Sequence, residues 1–173
     1  MQAETKQMRI VDPILMEMDQ EAEITKRLLD IIPEDKLSWR PHAKAKSLGE
    51  LAMHIAWLQG GVAELTQPDS IELPEFPPDP EATSRKEILD VFAENLKKAK
   101  DIVNATDDAQ ATALYTITKD GKTIMAAPRI AFWRSILLNH NYHHRGQLST
   151  YLRELDVALP SIYGPSADTN PFA

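Results

Sequence analysis

The chain has 173 residues, long enough for one domain to bury most of its apolar surface without disulfides or other staples. A formal charge of −7, from 26 acids against 19 bases, excludes the basic patch that nucleic acid or an anionic membrane surface requires. The absence of cysteine excludes disulfides, iron–sulfur clusters and a cysteine nucleophile, so any thiol chemistry must use a thiol brought from outside. The stretch from Met1 to Gln7 lacks the apolar region of a signal peptide, and nowhere do about 18 apolar residues run together. The expectation is a single domain over residues 1–173, soluble and cytoplasmic.

The first periodic segment runs from about Pro13 to Ile32, with Ile14, Leu15, Met18, Ile24, Leu28, Leu29 and Ile32 at helical spacing. Asp12-Pro13 supplies an N-cap and a first-turn proline. After Pro33, residues Glu34 to Lys46 show no sustained period and read as a loop that includes Trp39 and His42. Ser47, with Glu50 three residues on, forms a capping box that opens a second helix. That helix carries Leu51, His54, Leu58, Gly61 and Leu65 at steps of three and four, the inward seam of a bundle helix, so His54 points at the core.

Between Gln67 and Ala82 stand Pro68, Pro74, Pro77, Pro78 and Pro80, which forbid a helix or a central strand and predict a long crossover loop. A third helix begins at Ser84, with Glu87 in the capping position, and runs through Ile88, Phe92, Leu96, Ala99 and Val103. Residues Thr112 to Met125 alternate around Asp120-Gly121 and predict a small hairpin excursion. The last helix runs from about Pro128 to Leu155. Turning 100° per residue puts Trp133, Leu137, His140, His144, Tyr151 and Leu155 on one stripe, and Arg134, Tyr142, Arg145, Ser149 and Arg153 on the far face. The fold class predicted is all-α, a four-helix bundle with a proline-rich crossover and a small extended excursion before the last helix.

The segment Asn139 to Leu148 holds three of the chain's five histidines. His140 and His144 are one turn apart, with Cβ atoms expected about 5–6 Å from each other, and neutral imidazole is a common ligand of zinc, nickel or ferrous iron. His54, on the inward seam of the second helix, can join them. Three protein nitrogens with a free position describe a catalytic rather than a structural metal. A lone core histidine is more often a satisfied hydrogen-bonding residue. Three of them without a metal would need several internal partners, at roughly 1–3 kcal/mol for each group left unpaired. Spacing alone leaves both readings open. His143 turns about a quarter of a circle away and is assigned to the pocket rim or a surrounding shell, while His42 is expected in solvent. Glu50 can accept from a ligand imidazole or simply complete its capping box, and the cap is favoured.

Several blocks in order resemble the DinB-like metal-binding family: Ile32 to His42, Ser47 to Ala56, Asp120-Gly121-Lys122, His140 to Leu148, and Pro160 to Ser166. The resemblance covers nearly the whole chain. It implies a four-helix bundle holding one divalent metal ion, zinc, nickel or iron, on His54, His140 and His144. It implies kinship with transferases and isomerases that use a low-molecular-weight thiol as cosubstrate, and a homodimer. Asp156 stands where similar chains often have glycine after the last helix, and aspartate tolerates the left-handed conformation better than most residues. Tyr163, in the last block, can donate to a substrate or anchor a packed tail, and packing is favoured. The function expected is transfer of a thiol to a small electrophile. The alternatives are a hydrolase in which the metal activates water, and a noncatalytic metal-binding or stress-related binding protein. No nucleic acid or membrane partner is expected.

Overall fold

The computed structural model describes residues 7–172, so the polar amino terminus, Gln7 apart, lies outside the described residues. Helix α1 spans Asp12–Leu29, α2 Leu48–Leu65, α3 Arg85–Ala105, α4 Asp108–Thr112, α5 Arg129–Phe132 and α6 Asn139–Glu154, with a 3-10 turn at Glu34–Lys36. Strands β1 (Ser70–Glu72), β2 (Leu114–Lys119) and β3 (Lys122–Pro128) form one small sheet. The chain is thus mostly helical. Among the described residues no helix is long and apolar enough to cross a membrane.

Local chemistry sets the helix ends. Val11, not Asp12, is the N-cap of α1; Asp12 lies in its first turn and accepts the Arg9 amide at 2.9 Å. The capping box of α2 is complete, with Glu50 N donating to Ser47 Oγ at 3.1 Å and Ser47 N to Glu50 Oε2 at 2.6 Å. At α3 only half of that box forms, because the Glu87 carboxylate takes the amide and hydroxyl of Thr83 instead. Beyond α6, Asp156 has φ 59°, and Val157 N donates to Leu152 O while Asp156 N donates to Arg153 O. Those are the two bonds of a Schellman close, built here on aspartate in the position glycine usually takes.

The small extended excursion expected before the last helix is present as a hairpin, but it belongs to a three-stranded sheet rather than standing alone on an all-α fold. Asp120 and Gly121, at φ 52° and 71°, give the hairpin turn whose twist matches paired strands. Part of the proline-rich crossover then joins the hairpin, with Ser70, Ile71 and Glu72 pairing parallel to Thr116, Ile117 and Thr118. Three residues between prolines can do this because they lie at a sheet edge, where no continuous ladder is needed. Tyr115 and Ile117 turn inward from β2, and Tyr115 donates its hydroxyl to Leu65 O at 2.8 Å.

The single helix predicted from Pro128 to Leu155 is also corrected. Pro128 ends β3, and residues Trp133–Leu138 form a π-helical segment between α5 and α6. A segment of this kind changes the helical register, so the regular wheel drawn through Trp133 and Leu137 does not extend unbroken to His140. The buried Arg129 pins the junction: its Nε donates to Thr66 O at 2.6 Å and its guanidinium pairs with Asp69 at 2.9 Å. Trp133 Nε1 adds a bond to Thr66 Oγ1 at 2.7 Å. The end of α2, the crossover and the start of the last helical run are thereby held together.

The apolar core falls into two clusters. One gathers Leu28, Leu51, Ile55, Ile88, Leu148 and Leu152 from α1, α2, α3 and α6. The other gathers Met18, Leu58, Val103, Ile117, Trp133 and Leu137 around the sheet and the π segment. Helix α2 contributes to both, Leu48 to Ala56 to the first and Leu58 to Ala63 to the second, with His54 within the first stretch.

Candidate metal centre

His54 of α2 and His140 and His144 of α6 come together, all three half-buried. One nitrogen from each lies within 4.8 Å of the others. The ring centroids of His54 and His140 are 4.4 and 4.5 Å from that of His144. The i,i+4 pair is set by helical pitch alone, whereas the third imidazole depends on α2 packing against α6.

Hydrogen bonds decide where the protons sit. The carboxylate of Asp79 can only accept, so its 2.9 Å contact with His54 Nδ1 places the proton there. In the neutral ring the other nitrogen, His54 Nε2, is then a lone pair, and it is buried without a hydrogen-bond partner among the described residues. Gln147 Oε1 likewise accepts from His144 Nδ1 at 2.7 Å, leaving His144 Nε2 as a lone pair 2.7 Å from His140 Nε2. Either a proton on His140 or a cation between the two rings resolves that approach.

Charge favours the neutral ligands. Burial, reinforced by the charges of His54, His140 and His143, outweighs the Gln147 hydrogen bond and lowers the His144 pKa to about 4. Burial, then the charges of His54, His143 and Lys46, also lowers that of His140. Near neutral pH both rings therefore offer lone pairs. For Asp79, burial alone would raise the pKa; the hydrogen bonds from Lys46, His54 and Trp57 outweigh it and hold the carboxyl below its ordinary value. A carboxylate on the far nitrogen of a ligating histidine fixes its tautomer and strengthens its basicity.

Asp79 arrives from the proline-rich crossover. Its Oδ1 takes Trp57 Nε1 at 3.0 Å as well as His54, and Lys46 closes on its Oδ2. Gly61 makes room for this arrangement: a Cβ there would lie 2.7 Å from the Trp57 ring. The donor set fits a divalent cation of the zinc, nickel or ferrous class, with three neutral imidazoles, one orphaned nitrogen and two tautomers fixed from outside.

A cavity of about 910 Å³ opens beside the histidines, with His54, His140, Asp79 and Lys46 in its wall. The rest of the wall is nearly all apolar, drawn from α2, the crossover, β1 to β3, α5 and the π segment.

The other sequence candidates are placed elsewhere. Glu50 serves its cap and lies 3.5 Å from Arg40. His143 is exposed, with its ring 4.9 Å from that of His144. The Tyr163 hydroxyl donates to Glu21 Oε2 at 2.7 Å and accepts from Arg145, away from the imidazoles. Arg145, assigned to the far face of its helix, is buried there because α1 and the carboxyl-terminal segment cover that face. Sequence reasoning missed Asp79, Lys46, Trp57 and the bond made by Gln147. Gln147 was readable, one turn after His144. The only sign of Asp79 was a lone acid set among prolines, in Pro77-Pro78-Asp79-Pro80.

A family model, the DinB family, matches residues 1–170. The uncharacterized protein YrdA of Bacillus subtilis is 24% identical over 163 residues, which cover 91% of this chain and 90% of that protein. A DinB-like protein from Bacillus cereus superposes with a TM-score of 0.66 at 22% identity, over 86% of this chain and 95% of its own. The DinB-like protein YjoA of Bacillus subtilis gives 0.67 at 18%, over 87% and 97%. At such identities the two structures speak for the fold alone.

Proposed function

The chain belongs to the DinB family, and from that premise we propose that its helices form a four-helix bundle around one divalent metal ion, held by His54, His140 and His144. The reaction proposed is transfer of a low-molecular-weight thiol to an electrophile seated in the adjoining cavity. The observation that carries the metal site is His54 Nε2, buried with no partner among the described residues and beside two further imidazoles. An orphaned buried acceptor costs about 1–3 kcal/mol, which a cation shared with the two neighbouring imidazoles would recover.

A divalent ion in this position supplies Lewis acidity, which lowers the pKa of a thiol or water that binds it. The chain's own residues do the rest. Asp79 and Gln147 hold protons on the outer nitrogens of His54 and His144, so both inner nitrogens stay available. The apolar wall seats the electrophile beside the histidines. In the reaction the S–H proton leaves to solvent, and the sulfur lone pair forms the new bond to carbon as the leaving group departs. The chain has no cysteine, so this sulfur comes from the cosubstrate. Hydrolysis would draw on the same residues, because a divalent ion lowers the pKa of water as it does that of a thiol; Asp79, with both oxygens engaged by His54, Trp57 and Lys46, serves position rather than proton transfer in either reaction.

The test is metal content by plasma mass spectrometry on protein purified without an affinity tag, beside the combined variant His54→Ala, His140→Ala, His144→Ala. The expected result is one ion per chain, lost in the variant, with metal-dependent consumption of thiol across a panel of electrophiles. No metal after reconstitution with zinc, nickel and iron would overturn the site. Metal-dependent hydrolysis without thiol consumption would overturn the transferase.

A further inference from the structure

The walls of the cavity carry more information than its volume. Leu58 and Val62 of α2, Phe76 of the crossover, Ile117 of β2 and Phe132 and Ile136 of the last helical run all face it. Its polar groups are concentrated at one end, where His54, His140, Asp79 and Lys46 meet. Asp79 is fully engaged there, so what remains for a ligand is the imidazole nitrogens and the Lys46 ammonium. The other charged wall residue, Glu64, is 53% exposed and lies 3.4 Å from Lys98. Along the body of the cavity little can replace the hydrogen bonds that a sugar or peptide hydroxyl leaves behind in water.

The charge at the polar end has a definite sign. Three neutral imidazoles contribute nothing, and Asp79 and Lys46 cancel, so a divalent ion keeps its full double positive charge. An anionic head is favoured beside it. The mouth is apolar too: Phe76, Ile124 and Met125 line the cavity and are 55%, 53% and 38% exposed.

We propose that this cavity takes an amphipathic small molecule, with an alkyl or aryl body against the apolar wall and a single anionic, metal-ligating head between the histidines and Lys46. This rests on the metal site proposed above and narrows its substrate class. Polyhydroxylated and peptidic thiols are disfavoured as occupants of the cavity body; the molecule bound there is the apolar reactant.

The test uses the zinc-loaded full-length chain and two homologous probe series, straight-chain alkanoates of four to ten carbons and alkanols of the same lengths. Titration is followed by calorimetry and by the fluorescence of Trp57 in the cavity wall. The expected dissociation constant falls about fourfold for each added methylene, the fold-change that corresponds to about 0.8 kcal/mol per buried CH2. The alkanoate should bind at least tenfold more tightly than the matching alkanol. Val62→Phe, which narrows the cavity, should weaken the long members and spare the short ones; Ile136→Phe repeats this from the opposite wall if the first variant folds poorly. A series flat in chain length, or a polyol that outbinds an alkanol of equal size, would overturn the proposal. Chain-length dependence without preference for the anionic head would overturn it as well. Zinc content measured on the same sample then tells whether the metal site has fallen with it: with zinc bound, only the substrate class has failed.

Discussion

On one face of α6, His140 and His144 meet His54; on another, Arg145 meets Glu21 of α1 at 2.6 Å. Both clusters are polar and set into the same bundle of helices, but their hydrogen bonding differs. The Arg145 guanidinium also reaches Glu21 O, Thr25 Oγ1 and the Tyr163 hydroxyl. It lies between the rings of Tyr142 and Tyr163, at 5.0 and 5.2 Å from their centroids. Glu21 in turn accepts from Tyr163. That cluster is charged, closed and satisfied, whereas the histidine cluster is neutral, opens on a cavity and leaves a nitrogen unpaired. Polarity in a core therefore does not mark a site; incomplete satisfaction beside a cavity does.

The sharpest way to break this contrast is Arg145→Ala. Glu21, only 6% exposed at its side chain, would be left buried without its opposite charge, holding only the Tyr163 hydroxyl, a loss of about 3–5 kcal/mol. Urea denaturation should show it, while protein that remains folded keeps its metal stoichiometry. Replacing both partners, by Arg145→Met with Glu21→Leu, should recover most of the loss. An Arg145→Ala variant as stable as the parent would show that the ion pair is not structural.

Asp79→Ala probes the other cluster. His54 would lose the carboxylate that fixes its tautomer, and metal affinity should fall about 10- to 100-fold, read by competition against a chromogenic chelator. Thermal stability of the metal-free protein should move far less than in Arg145→Ala. Unchanged affinity would mean that His54 is oriented by packing alone.

The same contrast explains what could be read in advance. The histidine trio was legible because α-helical pitch puts His140 and His144 on one face and the α2 seam turns His54 inward. Asp156 was legible because its conformation is a property of one residue. Asp79 was not, because 25 sequence positions separate it from His54 and its placement depends on how the crossover returns over α2. The π segment and β1 were hidden for a related reason, since both arise from tertiary fit around Arg129 and β2 rather than from local pattern. Burial of Arg145 escaped the helical wheel because the wheel gives a direction and not what covers it.

Proton linkage separates the clusters at opposite ends of the pH scale. His144 in the folded, metal-free chain has a pKa of about 4, chiefly through burial, against about 6.5 when unfolded. Between those values the unfolded state binds more protons, so stability rises with pH across that window and is lost as pH falls through it. Tyr142 is shifted the other way, upward through burial and then its bond to Glu17. Above about pH 10 the unfolded tyrosine loses its proton while the folded one keeps it, so stability falls as pH rises. Urea midpoints of the metal-free protein from pH 4 to 11 should therefore fall at both ends. His144→Gln should make the acid limb shallower, with His140 keeping its share, and Tyr142→Phe should make the alkaline limb shallower. An acid limb of unchanged slope in His144→Gln would assign it to other groups.

The smallest effect expected is at Gly61→Ala, which separates site geometry from helix stability. An added Cβ would stand 2.7 Å from the Trp57 ring, so the indole must rotate. Its bond to Asp79 Oδ1 lengthens or breaks, leaving that oxygen to His54. Alanine in a helix interior is meanwhile worth roughly 0.5–1 kcal/mol over glycine, which offsets the lost indole packing and keeps the net change in stability within about 1 kcal/mol. The Trp57 emission should shift and metal affinity should drop by less than in Asp79→Ala, because the carboxylate still holds His54. If affinity instead fell as far as in Asp79→Ala, the indole rather than Lys46 would be what keeps the crossover carboxylate against the histidine.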